Sequence, residues 1–109
     1  MPFYLASDKY GAFILEVNMK IKDKEIKLKI TPKAIEKIEN ISDIDVLKLL
    51  REAGEKEPKA SDYYKLIYAG YIGATEENID YEDFLKLIED IDLPEISQIG
   101  VSLLLTRKN

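Results

Sequence analysis

The chain reads FILEVNMKIKDKEIKLKI from residue 13 to residue 30. Apolar residues alternate with polar ones on both sides of a charged centre, which is the period-two pattern of strands with one buried face. We predict a β-hairpin over about residues 13–30, with a two-residue loop at residues 23–24. In this register Met19 pairs with Leu28, and the apolar residues share one face.

The other face of this hairpin is rich in lysine. The predicted register sets Lys20 directly opposite Lys27, where repulsion costs a little stability. A solvated face that blocks edge-to-edge aggregation is the ordinary explanation. The functional alternative is a positive docking surface for an acidic partner, or for the acidic part of another copy of the chain.

Five helices are predicted after the hairpin, because apolar residues recur there at helical spacing. Their ranges are about 32–40, 43–53, 61–72, 80–91 and 94–106. The third helix is apolar nearly all round, as is typical of a central helix, and Gly70 would let a neighbouring element approach it closely. The predicted fold is α+β, with a β-hairpin or small antiparallel meander packed on a bundle of about five short helices.

The predicted helix ends depend on capping residues. A side-chain oxygen at Thr31 can cap the first helix, and one at Asp80 can cap the fourth. Ser42 or Asp43 is expected to cap the second helix. Gly73 is expected to end the third helix.

Composition limits the class of protein. The 109 residues are 46% apolar and 34% charged, which predicts a single domain over residues 1–109. Cysteine and histidine are absent, which excludes a disulfide framework, a Cys or His zinc site and the common Ser–His–Asp and Cys–His nucleophiles. We therefore expect no cofactor, no metal and no enzymatic activity.

No targeting or membrane segment is expected. The N-terminal residues lack the basic region and apolar run of a signal peptide. No stretch approaches the roughly 20 apolar residues that span a bilayer. The net charge of −5 argues against general nucleic-acid binding. These features favour a cytoplasmic protein that binds neither membranes nor nucleic acid.

Charge is unevenly distributed along the chain. Residues 20–37 carry a net charge of +4, whereas residues 76–95 carry nine acids and one lysine. The acids fit helix starts, and they lack the spacing and glycine of a calcium loop. The acidic stretch leaves two alternatives open: an acidic decoy or inhibitor of a basic DNA-binding partner, and a small carboxylate-based enzyme.

Two groups of residues are candidate partner contacts. Four tyrosines of the third helix either pack in the core with hydroxyls at the rim or form a binding surface. In the last helix, Val101 and Leu105 lie on the side opposite Ile96, and both sides cannot easily face one core. This predicts a partner chain, or a homo-oligomer formed through the C-terminal helix. The predicted contacts are Tyr64, Tyr68, Tyr71, Val101 and Leu105, with Lys20 and Lys27 as electrostatic support.

The order of these motifs resembles a known family. The lysine-rich hairpin of residues 19–28 leads to a central helix that ends Leu-Ile-Tyr-Ala-Gly-Tyr at residues 66–71. A segment led by Thr75 follows, Asn-Ile-Asp at residues 78–80 starts an acidic helix, and an apolar helix closes the chain. From about Met19 onward this is similar to the tail assembly chaperones of long-tailed bacteriophages and prophages of Gram-positive hosts.

The resemblance implies a non-enzymatic assembly factor in the bacterial cytoplasm. Such proteins hold the tape measure protein soluble and help to recruit tail tube subunits during virion assembly. The first eighteen residues depart from the family pattern. A small protein–protein interaction module of another kind is the more general alternative.

Overall fold

The polypeptide places a two-stranded hairpin against a layer of helices. The computed structural model describes residues 15–105. Its elements are β1 (Leu15–Ile21), β2 (Lys24–Ile30), α1 (Pro32–Ile41), α2 (Val46–Ala53), α3 (Ala60–Thr75), α4 (Tyr81–Leu87) and α5 (Leu93–Leu105). The predicted α+β class, with a hairpin on five helices, is confirmed for these residues. Residues 13, 14 and 106, which the predicted hairpin and last helix include, lie outside the described range.

The turn of the hairpin differs from the prediction. The antiparallel strands place Lys20 opposite Glu25, so the two-residue loop is Lys22 and Asp23 rather than Asp23 and Lys24. Both loop residues have positive φ angles, 49° and 67°, as a tight turn that matches strand twist requires. The predicted pairing is wrong by two positions. Because side chains alternate with a period of two, the buried face is unchanged.

This register also corrects the predicted lysine pair. Lys20 is opposite Glu25, and Lys27 is opposite Asn18. The two lysines are exposed, but they do not face each other directly. The outer face of the hairpin is therefore partly neutralised rather than uniformly positive.

The central element is α3, as predicted. All seven residues from Leu66 to Ile72 are buried, because neighbouring elements cover this helix on several sides. Strand β2 crosses it at Gly70, where a Cβ atom would lie 2.8 Å from the Cβ atom of Leu28. The expected close approach at Gly70 is confirmed.

The end of α3 differs from the prediction. Gly73 lies inside the helix, where an added Cβ atom would overlap the carbonyl oxygen of Lys29. The helix continues to Thr75 and ends at Glu76, which has a left-handed φ of 60°. The glycine therefore serves the contact with β2 rather than the helix end.

Two predicted caps are confirmed. The Oγ1 atom of Thr31 accepts a hydrogen bond of 3.1 Å from the amide of Ala34. The Oδ1 atom of Asp80 accepts one of 2.8 Å from the amide of Asp83. Each side chain satisfies a helix amide that has no partner within the helix, which fixes where α1 and α4 begin.

Helices α2 and α4 are shorter than predicted. Helix α2 begins at Val46 because Asp45 caps it, accepting a hydrogen bond from Lys48. Ser42 instead ends α1, and its amide donates to the carbonyl of Ile38. Helix α4 ends at Leu87 rather than near residue 91.

The hairpin and the helices share one hydrophobic core. The radius of gyration is 13.0 Å, which is about the value for a compact globule of this length. Among the described residues, no fully buried side-chain polar atom lacks a hydrogen-bond partner. No described helix has the length and apolar character needed to cross a membrane.

Candidate protein-binding surface

Helix α5 is held to the core by one face. Its start is fixed by Asp92, whose Oδ1 atom accepts a hydrogen bond of 3.0 Å from the amide of Glu95. Ile96 and Leu103 are fully buried. Gly100 lies against the ring of Tyr63, so close that an added Cβ atom would overlap it. This contact with α3 fixes which side of α5 faces outward.

The opposite side, which we call the α5 outer face, consists of Pro94, Ser97, Gln98, Val101 and Leu105. Val101 is 40% exposed and Leu105 is 77% exposed. Glu95 is the single charged residue of α5, in a chain that is 34% charged. An uncharged helix face with exposed apolar side chains is typical of a surface that binds another protein. The prediction that Val101 and Leu105 lie away from the core is confirmed.

Two of the tyrosines predicted as contacts are core residues instead. Tyr68 is fully buried and Tyr71 is 7% exposed. The Tyr68 hydroxyl donates a hydrogen bond of 2.7 Å to the carbonyl oxygen of Ile79. The Tyr71 hydroxyl donates one of 3.2 Å to a carboxylate oxygen of Glu77. Their placement as surface contacts was wrong because α4 and the segment before it cover this side of α3.

These rings form an aromatic cluster that fixes α4 to α3. The ring centroid of Phe84 lies 5.5 Å from that of Tyr68 and 5.2 Å from that of Tyr71. The ring of Tyr81 meets that of Tyr68 edge-on, with centroids 5.3 Å apart. Such tilted and edge-on pairs add to the stability that burial alone provides.

Burial also changes the acidity of three hydroxyls in this cluster. Burial raises the pKa of Tyr68, and the negative charge of Asp80 raises it further. Burial and the neighbouring carboxylate of Glu77 raise the pKa of Tyr71. Burial is also the main cause of the raised pKa of Tyr81. Because all three stay protonated at neutral pH, they act as hydrogen-bond donors or packing groups.

Three of the predicted partner contacts, Tyr64, Lys20 and Lys27, do not belong to the α5 outer face. Tyr64 is half-buried and packs against the core. Lys20 and Lys27 are exposed on the hairpin. The sequence did not single out three further exposed apolar residues: Ile41, Leu47 and Leu93, which are 37%, 45% and 47% exposed. Leu93 could have been noticed, because it begins the one helix with almost no charge.

The acidic residues of the stretch from residue 76 to residue 95 lie at the surface. All nine acids between residues 76 and 95 are exposed, and no cluster of acids among the described residues could hold a metal ion. Two of them, Asp80 and Asp92, cap helices. The other seven carboxylates are exposed to solvent.

Comparison with models of known protein families, with curated proteins and with solved structures found no match.

Proposed function

We propose that the protein is a tail assembly chaperone of a long-tailed bacteriophage or prophage, without enzymatic activity, which binds the tape measure protein and helps to recruit tail tube subunits. The observation that supports this proposal best is the α5 outer face, where Val101 and Leu105 are exposed on a helix with a single charged residue. The order of motifs from Met19 to the last helix adds the resemblance to this class of protein.

The proposed mechanism is shielding of apolar helical segments. A tape measure protein is a long chain whose apolar helix faces aggregate until the tail tube surrounds them. A small chaperone with its own apolar helix face can cover such a segment by helix-to-helix packing. The α5 outer face contains the polar residues Ser97 and Gln98 beside Val101 and Leu105. Binding to it would therefore be weak enough to be reversible, which is required if the tape measure protein is to pass from the chaperone to the tube subunits.

Co-expression tests this proposal. The protein should be produced together with the tape measure protein encoded beside it, and the soluble fraction of the tape measure protein measured. We expect that fraction to rise several-fold with the wild-type chain. The double variant Val101→Lys with Leu105→Lys should remove most of the gain, because burying lysine charge in an apolar contact is unfavourable.

The matched control is Leu47→Lys, which places the same charge at an exposed apolar position of α2. It should keep the wild-type effect on solubility. The proposal is wrong if the tape measure protein is no more soluble with the wild-type chain than without it. Equal activity of the double variant would exclude the α5 outer face as the contact.

Self-association is a second use that the same face would permit. A homo-oligomer formed through α5 would hide Val101 and Leu105 between two copies. Sedimentation of the pure protein distinguishes the two uses, because the double lysine variant would then be smaller than the wild type, whereas Leu47→Lys would not.

The exposure of all nine acids between residues 76 and 95 favours one other candidate, an acidic decoy of a basic DNA-binding protein. Exposed carboxylates can imitate a row of phosphates. Binding of this kind weakens steeply with salt, whereas apolar binding through α5 does not. Replacing Glu82 and Asp83 by glutamine would weaken decoy binding and leave the chaperone effect unchanged.

A further inference from the structure

The exposed residues of α5 follow the spacing of a contact between two helices. Pro94, Gln98, Val101 and Leu105 are all exposed, and they follow one another at steps of four, three and four residues. Residues at this spacing form the stripe by which one helix of a coiled coil meets a second helix. Val101 and Leu105 are aliphatic, and neither Pro94 nor Gln98 carries a charge. The middle of the α5 outer face therefore fits another helix that lies along it.

The two ends of this stripe carry opposite charges. Residues 89–95, around the start of α5, include four exposed acids and no basic residue. Asp90 has an ion pair with Lys22, but this pair is 4.0 Å long between exposed groups and therefore weak. Directly after α5 the sequence includes Arg107 and Lys108. An uncharged stripe between an acidic end and a basic end is complementary to a second copy of itself that runs in the opposite direction.

We propose that two copies of the chain pair through their α5 outer faces in antiparallel orientation. In this pair Pro94 of one copy lies beside Leu105 of the other, and Gln98 lies beside Val101. The basic residues after α5 then meet the acidic start of α5 in the other copy, and the two acidic segments lie at opposite ends of the pair. A parallel pair would place like charges together at both ends, where they repel.

The size of the face predicts a weak dimer. A helix of 13 residues presents a face about 20 Å long and about 10 Å wide, which is smaller than the roughly 800 Å² that each partner buries in a standard interface. Gln98 places a polar group in the stripe, which lowers stability but favours one register. We therefore expect the dimer at high protein concentration. The proposed function uses the same face, but the dimer does not depend on that function.

Cysteine cross-linking tests the orientation, because the chain has no cysteine of its own. The variants Pro94→Cys and Leu105→Cys are oxidised mildly, each alone and then mixed. The mixture should give several-fold more covalent dimer than either variant alone, because these two positions adjoin each other in the antiparallel pair. Position 105 lies about 16 Å along the helix axis from position 105 of the other copy, which is too far for a disulfide.

Two results of the cross-linking would overturn the proposal. If either variant alone gives as much covalent dimer as the mixture, the contact is parallel or the product arises from random collision. If the mixture gives no covalent dimer at millimolar protein concentration, the α5 outer faces do not pair. Both results concern the pure protein, so they are independent of the co-expression experiment that tests the proposed function.

Charge reversal tests the two ends of the stripe. Sedimentation of the concentrated wild-type chain should show the dimer. The double variant Arg107→Glu with Lys108→Glu should weaken it about five- to tenfold, because exposed attractions at both ends become repulsions. Adding Glu89→Lys with Asp90→Lys to that variant should restore the dimer, because opposite charges then meet again. The proposal is wrong if this combined variant associates no better than the first one.

A matched control separates this effect from the general repulsion of a more acidic protein. Lys48→Glu with Lys56→Glu changes the charge by the same amount at exposed positions of α2 and the loop after it. It should weaken the dimer by less than about twofold, because salt screens charges that are far from the contact. If this control weakens the dimer as much as Arg107→Glu with Lys108→Glu does, the charged ends of α5 do not direct the pairing and the proposal is overturned.

Discussion

A single missing side chain sets the distance between α3 and α5. At Gly100 the backbone of α5 lies directly on Tyr63, and an added Cβ atom would come within 2.9 Å of the ring atom Cγ and 3.0 Å of Cβ. The Tyr63 Cβ atom cannot rotate away, because it is fixed to the backbone of α3. The position of the α5 outer face therefore depends on this glycine.

We expect Gly100→Ala to destabilise the protein. Overpacking costs about 1–3 kcal/mol, while alanine gains about 1 kcal/mol of helix propensity over glycine. Because three Tyr63 atoms would be crowded, we expect an overpacking cost of about 2–3 kcal/mol. After the gain in helix propensity, the free energy of unfolding should fall by about 1–2 kcal/mol, as measured by urea denaturation. Gln98→Ala, on the outer face of the same helix, should change it by less than about 0.5 kcal/mol. A Gly100→Ala variant as stable as the wild type would contradict the close packing.

At the scale of elements, the hairpin turn gives the sharpest test. Lys22 and Asp23 both have positive φ angles, a conformation that asparagine and glycine adopt more easily than lysine and aspartate. The double variant Lys22→Asn with Asp23→Gly should raise the free energy of unfolding by about 0.5–1 kcal/mol. The lost contact of Lys22 with Asp90, 4.0 Å long between exposed groups, counts for little.

The same pair of residues placed one position later serves as the control. Asp23→Asn with Lys24→Gly puts glycine in β2, opposite Ile21, and should lower the free energy of unfolding by about 0.5–1 kcal/mol. If the second variant were the stabilised one, the loop would be at residues 23–24 and the observed register would be incorrect.

The sequence was informative where a property depends on neighbouring residues. The caps at Thr31 and Asp80 and the alternating faces of the hairpin were predicted, because each depends on residues a few positions apart. The turn was misplaced because the neighbouring pairs of residues differ little in turn preference, and pairing along the whole hairpin decides between them. Features that depend on how distant elements pack, such as which side of α3 is covered, could not be predicted in this way.

In the candidate site, too, only the features that depend on neighbouring residues were predicted correctly. Val101 and Leu105 were predicted to face away from the core, because one helix projection is enough to show it. Tyr68 was wrongly predicted to be a surface contact. Helix α3 is apolar on most sides, and the sequence of α3 alone does not show which side Phe84 covers.

At the scale of the whole molecule, the aromatic cluster links stability to alkaline pH. The pKa values of Tyr68, Tyr71 and Tyr81 are raised above their ordinary value of 10.0. The folded protein therefore keeps protons that the unfolded chain has released. This contribution to stability is complete below pH 10 and is lost as the pH rises through the folded pKa values.

Urea denaturation at about pH 8 and about pH 11 measures this effect. The free energy of unfolding should be lower at the higher pH. Tyr68→Phe should show a smaller decrease between the two pH values, because one of the three hydroxyls is gone. It should also be less stable at the lower pH by about 1 kcal/mol, since the carbonyl of Ile79 loses its hydrogen-bond donor. If the free energy of unfolding of Tyr68→Phe fell as much between the two pH values as that of the wild type, Tyr68 would not contribute to the loss of stability at alkaline pH.

The burial of seven consecutive residues in α3 has a consequence for how the chain comes apart. The hairpin, α1 and α2 cover this helix from the N-terminal side of the sequence, and α4 and α5 cover it from the C-terminal side. Strand β2 and helix α5, which make the most extensive contacts with α3, come from opposite sides of it in the sequence. The amide hydrogens of residues 66–72 should therefore exchange with deuterium only when the whole molecule opens.

A cut in the loop before α3 should leave two fragments that are each unfolded alone and regain structure when mixed.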